Sequence, residues 1–296
     1  MVFDSNLIDD YKIYLTDVRK ASTNTVTSYI RDVKRFADYL SGNDKDDFDK
    51  ITGDDIRYYL LSLEKSKKSP ATMSRCIASL KAFFNHMIIL GHIKSNPVSD
   101  ISVSTVHKKP PRILTDKEIR ILLDQPNVKD PKGCRDKAML EVLYATGIRV
   151  SELINLDMTD INLTTGLVSC RNGKDRIVPM HESAVKAVTQ YLTFARPKLI
   201  LNGEIALFVN TNGERMTRQG FWKILKSYSE QAKIDGDITP QMLRNSFAAH
   251  LLENGANIKT LQEILGHAGI SSTQVYARVV KHKLKDVYSK AHPMAK

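Results

Sequence analysis

The stretch LGHAGISSTQVYARVV, Leu265 to Val280, places His267 and Tyr276 nine residues apart. A tyrosine hydroxyl becomes a nucleophile once its proton has somewhere to go. A nearby histidine can donate to an anion or move that proton. Two arginines elsewhere sit in places that need explaining. Arg149 follows a helix-ending glycine in ATGIRVSEL, and Arg244 lies inside the apolar helix pattern PQMLRNSFAAHLL. Guanidinium forks grip phosphate oxygens two at a time, so both suit a phosphate clamp. Lys174 stands at the tip of a predicted hairpin. Each residue also has a plain structural reading. Tyr276 could be half-buried with a hydrogen bond, and His267 could be a packed histidine. Arg244 could pair with Glu253 or Glu152, and Arg149 with Glu152 across one helical turn.

The elements that must position these groups can be read from periodicity and caps. Helical patterns cover Asn6 to Val18, the segment after Thr23 and Asn24, the segment beginning near Thr52, and the long run after Ser69 with proline at its first position. In the second of these, Arg31, Lys34 and Arg35 line a face away from Ile30, Val33, Phe36 and Leu40; Arg75 and Lys81 add basic positions to the fourth. Prolines, serines and the pair Lys108 and Lys109 then interrupt all periodicity. The reading is a helical domain over 1–95, a linker over 96–112 and a second domain over 113–296. Thr115 with Glu118 forms a capping box at the new domain's first helix. A helix ends at Gly147, and a short one, VSELINL, follows. The Asn-Gly pair in GLVSCRNGKDRIVPM signals a hairpin. ALFVN at 206–210 reads as another strand, and Thr217, Thr239 and Asn257 are plausible caps of three more helices. Ser271 and Gln274 form a second capping box ahead of Tyr276. The fold class expected is mainly α with a small β-sheet.

The bulk numbers narrow the function. The 296 residues suffice for two domains. Net charge is +11, with 17 Lys/Arg against 14 Asp/Glu in residues 1–109 and 27 against 19 in the rest. Such a balance favours a polyanion such as nucleic acid. No apolar run reaches bilayer length and the first residues lack a signal-peptide core, so a cytoplasmic protein is expected. Cys76, Cys134 and Cys170 follow neither disulfide nor zinc spacing. GxGxxG, P-loop and HExxH motifs are absent from the sequence, so neither cofactor nor metal is expected.

Taken together, ATGIRVSEL, the hairpin ending DRIVPM, TPQMLRNSFAAHLLENGA and LGHAGISSTQVYARV resemble, in order and spacing, the boxes of the tyrosine recombinases, or phage integrase family. The likeness is greatest to the two-domain Xer branch and covers essentially the whole chain. It implies an N-terminal core-binding domain of four helices, a catalytic domain with a hairpin or three-stranded sheet, and a C-shaped clamp on double-stranded DNA. It implies that Tyr276 attacks a phosphodiester to form a 3′-phosphotyrosyl link, without metal or ATP. Arg149 and Arg244 hold the non-bridging oxygens, His267 donates to the same phosphate, and a hairpin lysine protonates the leaving oxygen. Four protomers, alike or shared with a paralogue, assemble on two DNA sites, and the basic tail VVKHKLKDVYSKAHPMAK docks on a neighbour. The biological role is either dimer resolution or the movement of a mobile element.

Two of the boxes depart from the family pattern. Gln241 occupies the usual histidine position three residues before Arg244, and Asn245 follows that arginine where histidine is frequent. In the hairpin, Arg171 occupies the place of the usual acid and Lys174 that of a second lysine. Arginine is a poor proton donor, so Lys174 is the favoured acid and Arg171 the alternative. These departures leave a weak or binding-only paralogue, and a type IB-like topoisomerase, as alternatives.

Overall fold

A computed structural model describes residues 5–43, 45, 50–102, 111–171, 175–201, 203–266, 269 and 273–277. The chain divides into two compact units, Met1–Lys108 and Lys109–Lys296.

Among the described residues, the first unit comprises four α-helices. Helix α1 (Ser5–Ile13) continues as a wider π turn, Tyr14–Val18; α2 is Thr23–Ser41, α3 Gly53–Lys65 and α4 Pro70–Ile89. Their starts are set locally. The Ser22 and Ser69 hydroxyls accept from backbone N–H groups three residues on, and Thr52 with Asp55 closes a capping box. Val33, Phe36 and Leu40 of α2 meet Leu80, Phe83 and Phe84 of α4 in a core that also takes Tyr11. The chain just after α4 belongs to this core: Val98 is fully buried and Ile101 packs beside it.

Of the basic residues read as DNA contacts, Arg31, Lys34 and Arg35 are exposed on α2. Arg75 is also engaged within the unit. Its Nε and Nη2 donate to the buried Asp32 at 2.8 and 2.9 Å. The guanidinium fork neutralises a carboxylate that is 3% exposed and so ties α4 to α2, while 35% of the Arg75 side chain stays exposed. The Lys81 ammonium donates to the Ser99 carbonyl at 3.2 Å. Lys108 and Lys109 lie outside the described residues.

The second unit surrounds one buried helix. Helix α5 is Asp116–Leu123, capped by the Thr115–Glu118 box. Helix α6 (Pro131–Thr146) is buried on nearly every side, with Ala138, Met139, Leu140, Val142 and Leu143 fully buried and the charged Arg135, Asp136 and Glu141 buried among them. It stops at Gly147, whose φ of 59° is left-handed. A Cβ there would also sit 2.1 Å from the Phe247 ring, so glycine is required twice over. Helix α7 (Val150–Ile154) follows at once. Strands β1 (Ile161–Asn162), β2 (Leu167–Cys170) and β3 (Arg176–Pro179) form an antiparallel sheet in that order, with Cys170 opposite Arg176.

Helix α8 (Glu182–Gln190) runs through a π turn into α9 (Arg196–Leu199). His181 caps this segment, and Ala184, Ala187, Val188 and Tyr191 are buried at helical spacing, but it is not among the helices expected from sequence. Helices α10 (Arg218–Gln231), α11 (Pro240–Glu253) and α12 (Ile258–Leu265) begin after caps at Thr217, Thr239 and Asn257. The segment ALFVN is not a strand. It makes two isolated bridges, Asp157 with Ala206 and Val209 with Arg215. Side chains satisfy much of its backbone instead: Tyr191 and Arg196 both donate to the Leu207 carbonyl, and Arg196 also reaches Ala206. Among the described residues, no helix is long and apolar enough to cross a membrane.

Candidate active site

Glu152 organises the arginines. It is the third residue of α7, and its Oε2 accepts from the Arg149 backbone N–H at 2.6 Å. That contact is the carboxylate half of a capping box, so local sequence fixes where Arg149 leaves the backbone. The same carboxylate is 2% exposed and takes two hydrogen bonds from Arg176 of β3, at 2.8 and 3.0 Å. The Arg149 guanidinium donates to it at 3.2 Å, and Arg244 Nη1 lies 4.0 Å away. Burial by itself would raise the Glu152 pKa. The hydrogen bonds from Arg176 and Arg149 outweigh it and hold the carboxyl below its usual range. One buried anion thus gathers three guanidinium groups whose mutual repulsion would otherwise part them.

Arg244 is held mainly by backbone. It is 2% exposed, and its Nη1 and Nη2 donate to the carbonyls of Gly147 and Leu265 at 2.6 and 2.7 Å. These carbonyls stand at the C-terminal ends of α6 and α12, where the helix dipoles favour a cation. Both lie closer to the guanidinium than Glu152, one of the two carboxylates that the sequence offered as its partner. Burial, followed by repulsion from Arg149, lowers its pKa to about 10, so it remains charged at neutral pH. Arg149 is more open, with 43% of its side chain exposed. Arg149 and Arg244 both line a cleft of about 680 Å³. Gln241, Arg218 and the exposed Trp222 line it as well.

Tyr276 lies in the short helical segment 273–277 and is 5% exposed. Its ring joins Phe247, Leu261 and Leu265 in a small apolar cluster between α11 and α12. Its hydroxyl donates to Asn245 Oδ1 at 3.0 Å. Burial raises the phenol's pKa, and the charges of Arg244 and Arg149 pull against that rise. Gln241 Nε2 donates to the same Asn245 oxygen at 2.9 Å. The two departures on α11 are therefore joined to each other and to the tyrosine.

The structure brings Arg149, Arg244, Gln241 and Tyr276 together. Arg171 points elsewhere: its Nε lies 2.8 Å from Asp160 Oδ1, off the direction of a good hydrogen bond, and 65% of its side chain is exposed. His267, Lys174, the Ser271 half of the second capping box and the basic tail lie outside the described residues. Sequence reading missed Arg176, which stands in the quoted DRIVPM. A charged residue in a strand that also carries Ile177 and Val178 was the available signal. It missed Trp222 and Arg218 too, although Trp222 is the only tryptophan in the chain.

A model of the phage integrase family matches residues 112–283, and one of the phage integrase N-terminal SAM-like domain matches residues 8–88. The tyrosine recombinase XerD of Listeria innocua is 41% identical over 98% of this chain and 100% of its own. The XerD of Oceanobacillus iheyensis is 45% identical over 97% of this chain and 98% of its own. The crystal structure of XerA recombinase is 29% identical, with a TM-score of 0.55 over 98% of this chain and 99% of that one. The post-cleavage complex of the XerH site-specific recombinase shares the fold, with a TM-score of 0.75 at 20% identity over 97% and 89% of the two chains. The chain belongs to the phage integrase family: it is a tyrosine recombinase of the Xer type, an enzyme of site-specific DNA recombination.

Proposed function

We propose that Tyr276 is the nucleophile of DNA strand exchange and that Arg149 and Arg244 clamp the scissile phosphate. The observation that carries this reading is the convergence at Glu152. Two guanidinium groups from separate elements line one cleft, and a buried tyrosine hydroxyl stands beside them. Attack by Tyr276 Oη forms an O–P bond as the P–O5′ bond breaks. The two arginines are fixed before substrate arrives, so they stabilise the charge growing on the phosphate without reorganising. The phosphotyrosyl link stores the energy of the broken diester, so rejoining needs no ATP.

His267 is assigned as a second phosphate donor and Lys174 as the acid that protonates the leaving oxygen. The engagement of Arg171 with Asp160 supports that choice. Gln241 cannot titrate near neutral pH, so it acts as a hydrogen-bond donor in the place of the usual histidine. Residues 1–95 would bind the duplex through the exposed Arg31, Lys34 and Arg35, and residues 113–296 would carry the chemistry. Four protomers on two sites, alike or shared with a paralogue, and action on cytoplasmic DNA complete the reading.

The test begins with a target selected from random-sequence duplex by binding to the Tyr276→Phe chain. That duplex, nicked near the cleavage position, traps a covalent adduct. The expected result is an adduct with the unaltered chain and none with Tyr276→Phe. No adduct from the unaltered chain, on DNA shown to be bound, sinks the catalytic reading. Relaxation of plasmids that lack the site would point to a topoisomerase.

A further inference from the structure

Asn245 directly follows Arg244 on α11 and is 8% exposed. Its Oδ1 accepts two hydrogen bonds, from Tyr276 Oη at 3.0 Å and from Gln241 Nε2 at 2.9 Å. Gln241 and Asn245 are one helical turn apart, the spacing at which side chains on one face meet. The packing of Tyr276 fixes its ring against Phe247, Leu261 and Leu265. What packing leaves open is the direction of the O–H bond, because a phenol hydroxyl turns about its C–O axis. The acceptor sets that direction. Gln241 in turn fixes the acceptor. Were the Asn245 amide to flip, its N–H group would face the Gln241 Nε2 donor and that hydrogen bond would be lost, and Tyr276 Oη could then only accept, with its O–H turned away.

We propose that Asn245 is a positioning residue for the nucleophile: its amide oxygen, locked by Gln241, aims the Tyr276 hydroxyl beside the arginine pair. The proposal rests on Tyr276 being the nucleophile. Among the described residues, the charged groups that act on the hydroxyl are Arg244, from α11, and Arg149, from the start of α7. An amide oxygen accepts a hydrogen bond but is no base at neutral pH. Asn245 therefore orients Oη without taking its proton, which passes to water or to a substrate oxygen as the O–P bond forms. In this chain, Gln241 reaches the tyrosine through Asn245.

The test is single-turnover cleavage of the selected nicked duplex by saturating full-length chain, with DNA affinity and melting temperature measured alongside. Asn245→Leu keeps the approximate volume but removes the oxygen that accepts from both Tyr276 and Gln241. Asn245→Asp keeps an acceptor oxygen in the same place. The expected result is cleavage slowed about tenfold or more by Asn245→Leu at unchanged DNA affinity, from loss of a buried hydrogen bond. Asn245→Asp should stay within about threefold of the unaltered chain, and Gln241→Ala should fall between the two. Should Asn245→Leu melt well below the unaltered chain, Asn245→Ala takes its place in the same comparison. Wild-type cleavage by the acceptor-free variant overturns the proposal. So does equal slowing by Leu and Asp, or a loss in rate matched by a loss in DNA affinity. If the unaltered chain forms no adduct on DNA it binds, the assignment of Tyr276 fails, and the role of Asn245 fails with it.

Discussion

Replacing Arg176 by methionine tests whether Glu152 is the anchor of the arginine cluster. Arg176 supplies two of the hydrogen bonds to a carboxylate that is 2% exposed, and its Nε donates to the Ile264 carbonyl near the end of α12. Methionine fills much of the space but supplies none of these donors. Removing one partner of a buried ion pair costs about 3–5 kcal/mol, because the other charge stays buried. In a unit of this size each kcal/mol lowers the melting temperature by about 2–4 °C, so a fall of roughly 10 °C is expected at neutral pH.

The sign with pH follows from the carboxylate. In the unaltered chain Glu152 titrates below its usual range, so its contribution is present above about pH 4.5 and is lost as pH falls through the lower folded value. Without Arg176 the ionised carboxylate becomes a burden, which protonation relieves. The gap between variant and parent should therefore close as pH falls from 7 towards 4. Adding Glu152→Met to Arg176→Met should recover part of the lost stability, because the stranded carboxylate is removed, while Arg149 and Arg244, which then lose their shared anion, keep the recovery partial. Melts followed by circular dichroism across this pH range are the assay. A variant within 2 °C of the parent at pH 7, using the same roughly 2–4 °C scale, would refute the reasoning. So would a double variant no more stable than Arg176→Met alone.

In the first unit, His86 is 5% exposed, and neither ring nitrogen has a hydrogen-bond partner among the described residues. Burial lowers its pKa, so that unit should lose stability as pH falls below about 6.5 towards the lowered folded value; urea melts at pH 7.5 and 5.5 should show the loss, and His86→Phe should remove it. Gly147→Ala must strain a left-handed residue and displace Phe247. A loss of more than about 1 kcal/mol is expected, with slower cleavage because Phe247 packs on Tyr276; a normal melt would contradict this. Arg75→Ala should cost about 3 kcal/mol by stranding Asp32, with little change in the salt dependence of DNA binding. Arg35→Ala should do the reverse, reducing the log–log salt slope by about one unit; filter binding over a salt series separates them, and like behaviour in both would undo the distinction.

What could be read from sequence follows from how far each determinant reaches along the chain. Ser22, Thr52, Ser69, Thr115, Thr217, Thr239 and Asn257 cap their helices using groups two or three residues away, so short strings disclose them. Gly147 was legible as a helix stop for the same reason. ALFVN misled because its apolar residues are buried as in a strand, yet its carbonyls are met by Tyr191 and Arg196, which precede it by ten or more residues. Arg75 and Arg35 look alike in sequence, and only the buried Asp32 on another helix separates them.

The site shows the same boundary. Arg149, Arg244 and Tyr276 could be picked out by type and spacing, whereas Glu152 appeared only as a neighbour able to neutralise one arginine. Its role comes from β3, which brings Arg176 across from a different element. Gln241 and Asn245 are the sharper case. Read one at a time, each is a lost histidine and a reason to doubt activity. On α11 they stand four residues apart and share one oxygen with Tyr276. On the proposed reading, two amides in place of two titratable groups substitute orientation for proton transfer at this corner. The doubt raised by Gln241 alone thus becomes a question about the pair, which the Asn245 variants can answer.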